Sequence, residues 1–121
     1  MAKIMVVDDN KSIVTTLDVL LRKTGHDVDV AYNGDEFLDK VRDVNPDLVL
    51  LDIMMPGLKT REILAKLNDM KLKDLKIILL TAVRMGEDEV KELKTKSNIV
   101  DYITKPYDLD DFLARIETAL K

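Results

Sequence analysis

The sequence has no cysteine, one histidine, three prolines and four glycines among its 121 residues, and only 4% of them are aromatic. Without cysteine the chain cannot form a disulfide scaffold, a thiol nucleophile or a cysteine metal site. A single histidine excludes zinc and iron sites built from several histidines. The net charge of −4 argues against nucleic acid or an anionic membrane surface as the main partner.

Long apolar runs are also missing. Only four apolar residues separate Lys3 from Asp8, which is too short for a signal peptide. The longest apolar stretch, Leu48 to Pro56, is interrupted by Asp52 and is far shorter than the ~20 residues of a membrane span. We therefore expect a cytoplasmic protein. The composition, 46% hydrophobic and 35% charged, is typical of a globular domain, and we expect one domain over residues 1–121 with no output domain.

Five short segments have the composition of β-strands. Three of them contain little but Ile, Leu, Val and Met, as strands do when both faces are buried inside a parallel sheet; they are Lys3–Val7, Asp47–Leu51 and Lys76–Leu80. The other two are mixed and are predicted to lie at the sheet edges; they are Asp27–Tyr32 and Val100–Ile103. In Asp27–Tyr32 strict alternation predicts one dry face and one wet face, with Ala31 on the wet face.

Segments with helical periodicity alternate with these strands. Their apolar positions include Ile13 and Leu17, Phe37 and Val41, Ile63 and Leu67, Val90 and Leu93 (in a mostly charged fourth helix around residues 87–96), and Phe112 and Ile116. Asn33 or Asp35 is expected to begin the second helix and Asp108 the fifth. The alternation predicts an α/β fold with one parallel sheet and helices on both faces.

Polar residues follow four of the predicted strands. Because ligands bind beyond the carboxyl ends of the strands in open α/β sheets, these residues are the candidates for chemistry. They are Asp8, Asp9 and Asn10 after the first strand, Asp52 after the third, Thr81 after the fourth, and Thr104, Lys105 and Pro106 after the fifth. Three carboxylates, a hydroxyl and an ammonium group are therefore expected at one rim of the sheet.

Three carboxylates at one rim repel one another, by ~4 kcal/mol for two unit charges ~4 Å apart at an effective dielectric near 20. A hard divalent cation offsets this repulsion, and ligands that are all oxygen favour Mg²⁺ over zinc or copper. Lys105 supplies a further positive charge, and Asp52 is a candidate nucleophile. These groups together suit phosphoryl transfer.

Four motifs resemble the response-regulator receiver domain of two-component signalling. They are Val6-Val7-Asp8-Asp9-Asn10, Leu50 to Gly57, Leu80-Thr81-Ala82 and Asp101 to Pro106, and they occur in this order along the whole chain. Each motif alone is unspecific, but the four at this spacing are highly specific. The resemblance implies a flavodoxin-like fold with strand order 2-1-3-4-5 and a chemotaxis-regulator-like, phosphorylatable switch.

The resemblance also implies a role for each rim residue. Asp52 accepts a phosphoryl group from a histidine kinase or phosphotransfer protein, and Thr81 and Lys105 contact the group once it has arrived. Mg²⁺, with Mn²⁺ as an alternative, is bound by Asp8, Asp9, Asp52 and the backbone carbonyl of Met54. The domain itself catalyses this step, so it is a signalling domain and not a true enzyme.

Signal output is implied by the same resemblance. Tyr102 is the aromatic residue that turns inward when Thr81 moves, and the peptide bond between Lys105 and Pro106 is cis. The fourth helix, fifth strand and fifth helix form the face that contacts an output protein. The domain is expected to be a monomer or a phosphorylation-dependent dimer.

Three departures from the family pattern modify these expectations. Thr60 replaces a glycine, so the loop into the third helix is expected to be remodelled. Asn98-Ile99 replaces Gly-Ala, which affects the output face. Met54 and Val83 are apolar where the family has polar residues that admit the hydrolytic water, so we expect slow self-dephosphorylation.

Several other interpretations of the residues remain open. Asp8 and Asp9 alone could be a solvated loop that caps a helix, Thr81 a strand end and Lys105 a surface lysine. A phosphatase with an aspartyl nucleophile usually has Asp-x-Asp after the first strand, which is absent here. A flavodoxin-type binding module needs a loop of Ser, Thr and Gly at that place. A degenerate receiver used only for protein contacts is disfavoured by the complete residue set.

Overall fold

The computed structural model describes residues 2–53, 60–72, 75–81, 86–88, 91, 99–105 and 107–121. From the first to the fourth strand, strands and helices alternate as the sequence predicts, and a further helix follows the fifth strand. The strands are β1 (Lys3–Val7), β2 (Asp27–Ala31), β3 (Leu48–Asp52), β4 (Lys76–Thr81) and β5 (Ile99–Thr104). The helices are α1 (Lys11–Lys23), α2 (Gly34–Val44), α3 (Thr60–Asp69) and α4 (Leu109–Leu120). Most of the predicted helix around residues 87–96 lies outside the described residues.

The five strands form one parallel sheet in the order β2-β1-β3-β4-β5. This order confirms the flavodoxin-like topology implied by the sequence. The apolar strands β1, β3 and β4 occupy the middle, and every residue of β3 is buried. The mixed strands β2 and β5 lie at the two edges, as predicted. The second strand is added on one side of β1 and the later strands on the other side, so the winding of the sheet reverses between β1 and β3. A crevice opens at such a switch point beyond the carboxyl ends of the strands.

Each face of the sheet has its own apolar core. On one face α1 and α4 pack against alternate strand residues; Leu17, Leu21, Phe112 and Ile116 are the largest buried helix side chains there. On the other face α2 and α3 contribute Phe37, Val41, Ile63 and Leu67. The period-two alternation within each strand sends successive side chains to opposite cores, which explains why the central strands are apolar throughout.

Short polar side chains set the helix ends. The side chain of Asn33 accepts a hydrogen bond from the Glu36 backbone N–H (2.8 Å) and begins α2, and Asp108 accepts one from Asp111 (3.0 Å) and begins α4. These observations select Asn33 over Asp35 and confirm Asp108. Asn45, with φ 48°, ends α2 in the left-handed conformation that asparagine tolerates well.

The structure corrects the predicted exposure of Ala31 and the predicted ends of β2, β3 and β4. Ala31 is fully buried and not on a wet face, because it belongs to the core to which α2 contributes Phe37 and Val41 on that side of β2. Strand β2 ends there, one residue before the predicted end at Tyr32. Strands β3 and β4 extend through Asp52 and Thr81. Among the helices of the described residues, none has the length and apolar character needed to cross a bilayer.

Candidate functional site

Two carboxylates lie side by side where β1 and β3 end. The register pairs Val7 with Leu51, so the next residues along the two strands, Asp8 and Asp52, come together at the switch point. Asp8 has no exposed surface and Asp52 is 5% exposed. Burial of this degree is costly for charged groups unless they have compensating partners. This end of the sheet is therefore built for something other than stability.

The backbone around Asp8 holds its carboxylate in place. The Asp8 N–H donates to the carbonyl of Ala31 (3.1 Å), which continues the β1–β2 ladder by one residue. Asp8 Oδ1 accepts a hydrogen bond from the backbone N–H of Asn10 (2.9 Å). The side chain of Asn10 caps α1 by accepting from Ser12 and Ile13 (3.0 and 3.2 Å). Asn10 thus fixes both the start of α1 and the carboxylate of Asp8. Asp9, which lies between these two residues in sequence, has an exposed side chain at the rim.

Asp8, Asp9 and Asp52 form one acidic cluster. Each offers a carboxylate oxygen, and these three oxygens lie within 4.8 Å of one another. The donors are all hard oxygens, two from buried side chains and one from an exposed side chain. This donor set fits a divalent ion such as Mg²⁺, which prefers carboxylate oxygens and keeps part of its coordination for water and phosphate. The cluster predicted from the sequence is therefore present.

Lys105 is the cation nearest to the cluster among the described residues. Its Nζ lies 3.1 Å from Asp8 Oδ2 and 3.7 Å from Asp52 Oδ2, and its side chain is 18% exposed. The backbone N–H of Lys105 donates to the carbonyl of Thr81 (2.6 Å), which ties the end of β5 to the end of β4. Among the described residues one ammonium lies against three carboxylates, so this set of groups is negative and a bound cation would improve its charge balance.

Thr81 is fully buried at the end of β4, and the register pairs it with Thr104 of β5. Tyr102 is half-buried and packs at the border of the core formed by α2 and α3. It also lines a cavity of about 340 Å³ beside α4 together with Ile103, Thr104, Tyr107, Asp108, Asp111 and Arg115. The structure therefore places Thr81 at the carboxyl end of β4 and Tyr102 on the edge strand, at the border of the core formed by α2 and α3.

Some predicted features fall on residues that the structure does not describe. The carbonyl of Met54, the side chain of Val83 and the peptide bond to Pro106 lie outside the described residues. The same holds for Asn98, and for the side chain of Thr60. The expectations for these positions stay predictions.

Tyr107 is a neighbour of the rim that the sequence analysis did not identify. Its ring stacks on that of Phe112, with centroids 4.6 Å apart and planes 17° apart. Burial, with a smaller contribution from the charge of Asp8, raises the pKa of the Tyr107 phenol. The sequence did offer a signal for this position. Tyr107 is one of few aromatic residues in the chain, and it lies two residues after Lys105 and five before Phe112 of the core.

The doubly wound parallel sheet, with an acidic cluster and a lysine at its switch point, defines a class of α/β domain that binds divalent cations and phosphoryl groups at the strand ends. The sequence matches the response regulator receiver domain family over residues 4–117. This chain belongs to that family, the receiver domains of two-component systems.

Solved structures of receiver domains agree with this assignment. The receiver domain of the Francisella response regulator 1452 is 30% identical, with a TM-score of 0.85, and the match covers 99% of this chain and 97% of that one. TrrA of Thermotoga maritima, solved in complex with Mg²⁺–BeF, is 35% identical (TM-score 0.81; 98% and 99% covered). The BeF3-activated N-terminal receiver domain of Klebsiella pneumoniae RstA is 31% identical (TM-score 0.83; 98% of both chains covered).

Proposed function

We propose that this domain is a switch in which Asp52 accepts a phosphoryl group from a histidine kinase or a histidine phosphotransfer protein. The observation that carries the proposal is the convergence of three carboxylate oxygens within 4.8 Å, next to the ammonium of Lys105. The beryllium fluoride complexes of the Thermotoga and Klebsiella receivers support it, because beryllium fluoride on a carboxylate imitates a phosphoryl group.

The residues divide the chemistry among them. A carboxylate oxygen of Asp52 attacks the donor's phosphorus in line; the new P–O bond forms as the P–N bond of the donor's phosphohistidine breaks, and its electron pair returns to the imidazole nitrogen. Lys105 shifts from the carboxylates toward the phosphoryl oxygens, and the Thr81 hydroxyl donates a hydrogen bond to one of them. Asp8, Asp9, Asp52 and the Met54 carbonyl would hold a divalent ion, which would supply positive charge to offset that on the phosphoryl oxygens.

The signal leaves the rim through Thr81 and Tyr102. A hydrogen bond from Thr81 to the phosphoryl group draws the end of β4 inward, and the Tyr102 ring follows into the vacated space. Because phosphorylation adds charge and acceptors, it biases such a two-state element. The output face comprises β5, α4 and the segment around residues 87–96, and it regulates a partner protein, with the domain acting as a monomer or as a phosphorylation-dependent dimer in the cytoplasm.

The test of the acceptor is mass spectrometry of the intact chain after incubation with acetyl phosphate and Mg²⁺. We expect one added phosphoryl group on the wild-type chain, none on Asp52→Asn, and none after chelation of the metal. Asp47→Asn, which changes an exposed aspartate at the opposite end of β3, is the matched control and should be phosphorylated normally. A phosphoryl group that persists on Asp52→Asn would assign the acceptor to another residue.

The domain is a self-modifying signalling protein and not a turnover enzyme, and its phosphorylated form should be long-lived. The apolar side chains of Met54 and Val83 replace polar ones that admit water in the family. The double variant Met54→Asn with Val83→Glu should therefore shorten the lifetime of the phosphoprotein, measured by loss of the added mass after the donor is removed. An unchanged lifetime would contradict the shielding argument.

A further inference from the structure

The two outer strands of the sheet each have one side without a neighbouring strand. On β2, Asp27 and Ala31 bond to the β1 side, so Val28 and Val30 turn their backbone groups outward. On β5, the N–H of Lys105 bonds to the β4 side, and by alternation the N–H and carbonyl of Tyr102 turn outward. Outward backbone groups on an edge strand are a template on which another chain can add a strand.

Side chains bond to both outward groups of Val30 and to the carbonyl of Val28 at the β2 edge. The N–H of Val30 donates to Oδ1 of Asp29 (2.9 Å), and its carbonyl accepts from Nζ of Lys40 (2.9 Å). Lys40 Nζ and Asp29 Oδ1 are 3.9 Å apart, so the two side chains form an ion pair across the backbone of one residue. Arg22 adds a hydrogen bond to the carbonyl of Val28 (2.8 Å).

The β5 edge repeats this arrangement with different residues. The N–H of Tyr102 donates to Oδ1 of Asp101 (2.8 Å), and its carbonyl accepts from Nη1 of Arg115 (3.2 Å). Arg115 Nη1 also lies 3.0 and 3.1 Å from the two carboxylate oxygens of Asp101. Partial burial disfavours the charged guanidinium, but the charge of Asp101 and the bonds to Asp111 outweigh it and raise the pKa of Arg115.

We infer that these two ion pairs, Asp29–Lys40 and Asp101–Arg115, are edge clips that close the sheet against strand addition by a second copy of the chain. Each edge clip occupies the outward N–H and carbonyl of one residue, the pair of groups through which an added strand would bond. A second copy is the relevant partner because every copy presents the same two edges at the same concentration. The inference is independent of phosphorylation at Asp52.

The two edge clips differ in strength. Arg115 contacts both oxygens of Asp101 and also bonds to Asp111 (3.0 Å), so its planar guanidinium is held at three points. Lys40 Nζ lies 3.9 Å from Asp29 Oδ1 and 3.7 Å from Glu36 Oε2, both beyond hydrogen-bond distance. Asp29 is also more exposed than Asp101. We therefore expect the β2 edge to open more readily than the β5 edge.

Hydrogen exchange tests the edge clips one at a time. Asp29→Ala should speed exchange of the Val30 amide about tenfold, since the loss of one hydrogen bond has an effect of this order, and should leave the Tyr102 amide unchanged. Asp101→Ala should speed exchange of the Tyr102 amide by a similar factor and leave the Val30 amide unchanged. Each variant is the control for the other, and the Leu50 amide in the core reports whether the fold is intact. Unchanged exchange at both edge amides would overturn the inference.

Sedimentation equilibrium tests whether loss of the edge clips promotes self-association of the chain. The variant with both clips replaced, Asp29→Thr with Lys40→Met and Asp101→Thr with Arg115→Met, should self-associate about tenfold more tightly than the wild type, an effect of the size expected from losing two exposed ion pairs. The control Asp110→Thr with Lys23→Met removes one charge of each sign from exposed helix positions and is matched to the variants in which one clip is replaced.

The two double variants, each with one clip replaced, are measured alongside, so the test does not depend on the fourfold variant folding. Association in either of them, greater for the β5 pair because its clip is the stronger one, supports the inference. A fourfold variant that folds, as core exchange shows, and sediments like the wild type overturns it. Labelling of Asp52 by acetyl phosphate in the β2 variants distinguishes a failure here from a failure of the proposed function.

Discussion

The two ends of the parallel sheet differ in whether their polar and charged groups have complementary partners. At the amino ends Lys3 N–H donates to Asp47 Oδ2 (2.8 Å), and Asp47 N–H donates back to the Lys3 carbonyl (2.7 Å). Lys76 Nζ donates to the Ala119 carbonyl (2.8 Å) near the end of α4. Each group there has a complementary partner. At the carboxyl ends three carboxylates lie together, and two of them, Asp8 and Asp52, share the ammonium of Lys105.

This difference separates stability from function within one small domain. Both ends are made by the same five strands, so the topology alone does not determine which end binds a ligand. The amino ends are balanced and exposed, and a change there alters only local bonds. The carboxyl ends concentrate like charge in a buried crevice, where a cation or a phosphoryl group changes the energy of the whole rim.

Replacing a lysine at each end should give the largest contrast. Lys105→Met should slow phosphorylation by acetyl phosphate about 100-fold or more, since it removes a charged donor from the site of developing charge. Lys76→Met should leave the rate almost unchanged. The measurement is the rate of phosphoprotein formation by mass spectrometry at saturating Mg²⁺. Similar rates in the two variants would remove the functional distinction between the ends.

Metal binding should stabilise the carboxyl ends alone. Mg²⁺ at one hundred times its Kd should raise the free energy of unfolding by about 2.7 kcal/mol through mass action. Asp9→Asn, at the exposed member of the cluster, should abolish most of this gain, whereas Asp110→Asn should keep it. Thermal or urea unfolding with and without Mg²⁺ measures the effect. Equal stabilisation of both variants would place the ion elsewhere.

The same Asp-to-Asn change at the two ends of β3 should have opposite signs when no metal is present. Asp52→Asn relieves repulsion from Asp8 and leaves the closer Asp8–Lys105 pair intact, so stability should rise by about 1 kcal/mol. Asp47→Asn weakens the bond to the Lys3 N–H, and stability should fall by about 0.5 kcal/mol. Urea denaturation in the presence of a chelator measures the free energy of unfolding of both variants. Changes of the same sign in the two variants would contradict the comparison.

The smallest effect is expected at alkaline pH. Because burial and the charge of Asp8 raise the pKa of Tyr107, the folded state favours the neutral phenol. That stabilisation is present in full below the unfolded pKa of about 10 and is lost as pH rises through the folded value. Tyr107→Phe should therefore lose less stability than the wild type above pH ~10, as unfolding curves at several pH values would show.

Much of the fold and of the rim could be predicted from sequence because both depend on short-range patterns. Apolar runs such as Leu48 to Leu51 cannot be exposed, and the residue after such a run has its position fixed by the strand before it. Asp52 was identifiable for this reason. The burial of Ala31 could not be predicted, since it depends on α2 covering an edge strand from the other side.

The remaining features depend on contacts between residues distant in sequence. The bond from Arg115 to Tyr102 spans the turn from β5 into α4, and nothing in either segment alone indicates it. Tyr107 approaches Asp8 only because β5 and β1 end at the same rim. Periodicity and spacing describe which face a residue occupies, but the identity of its partner on another element comes from packing.

Asn10 has a consequence for how the domain can move. Its main chain holds the Asp8 carboxylate while its side chain holds the first turn of α1. A ligand that pulls Asp8 inward therefore also pulls on the start of a thirteen-residue helix whose far end lies at the opposite end of the sheet. Movement of the Asp8 carboxylate is in this way coupled to movement of α1. Substitution of Asn10 by glycine would remove the side-chain cap that couples them while leaving the acidic residues unaltered.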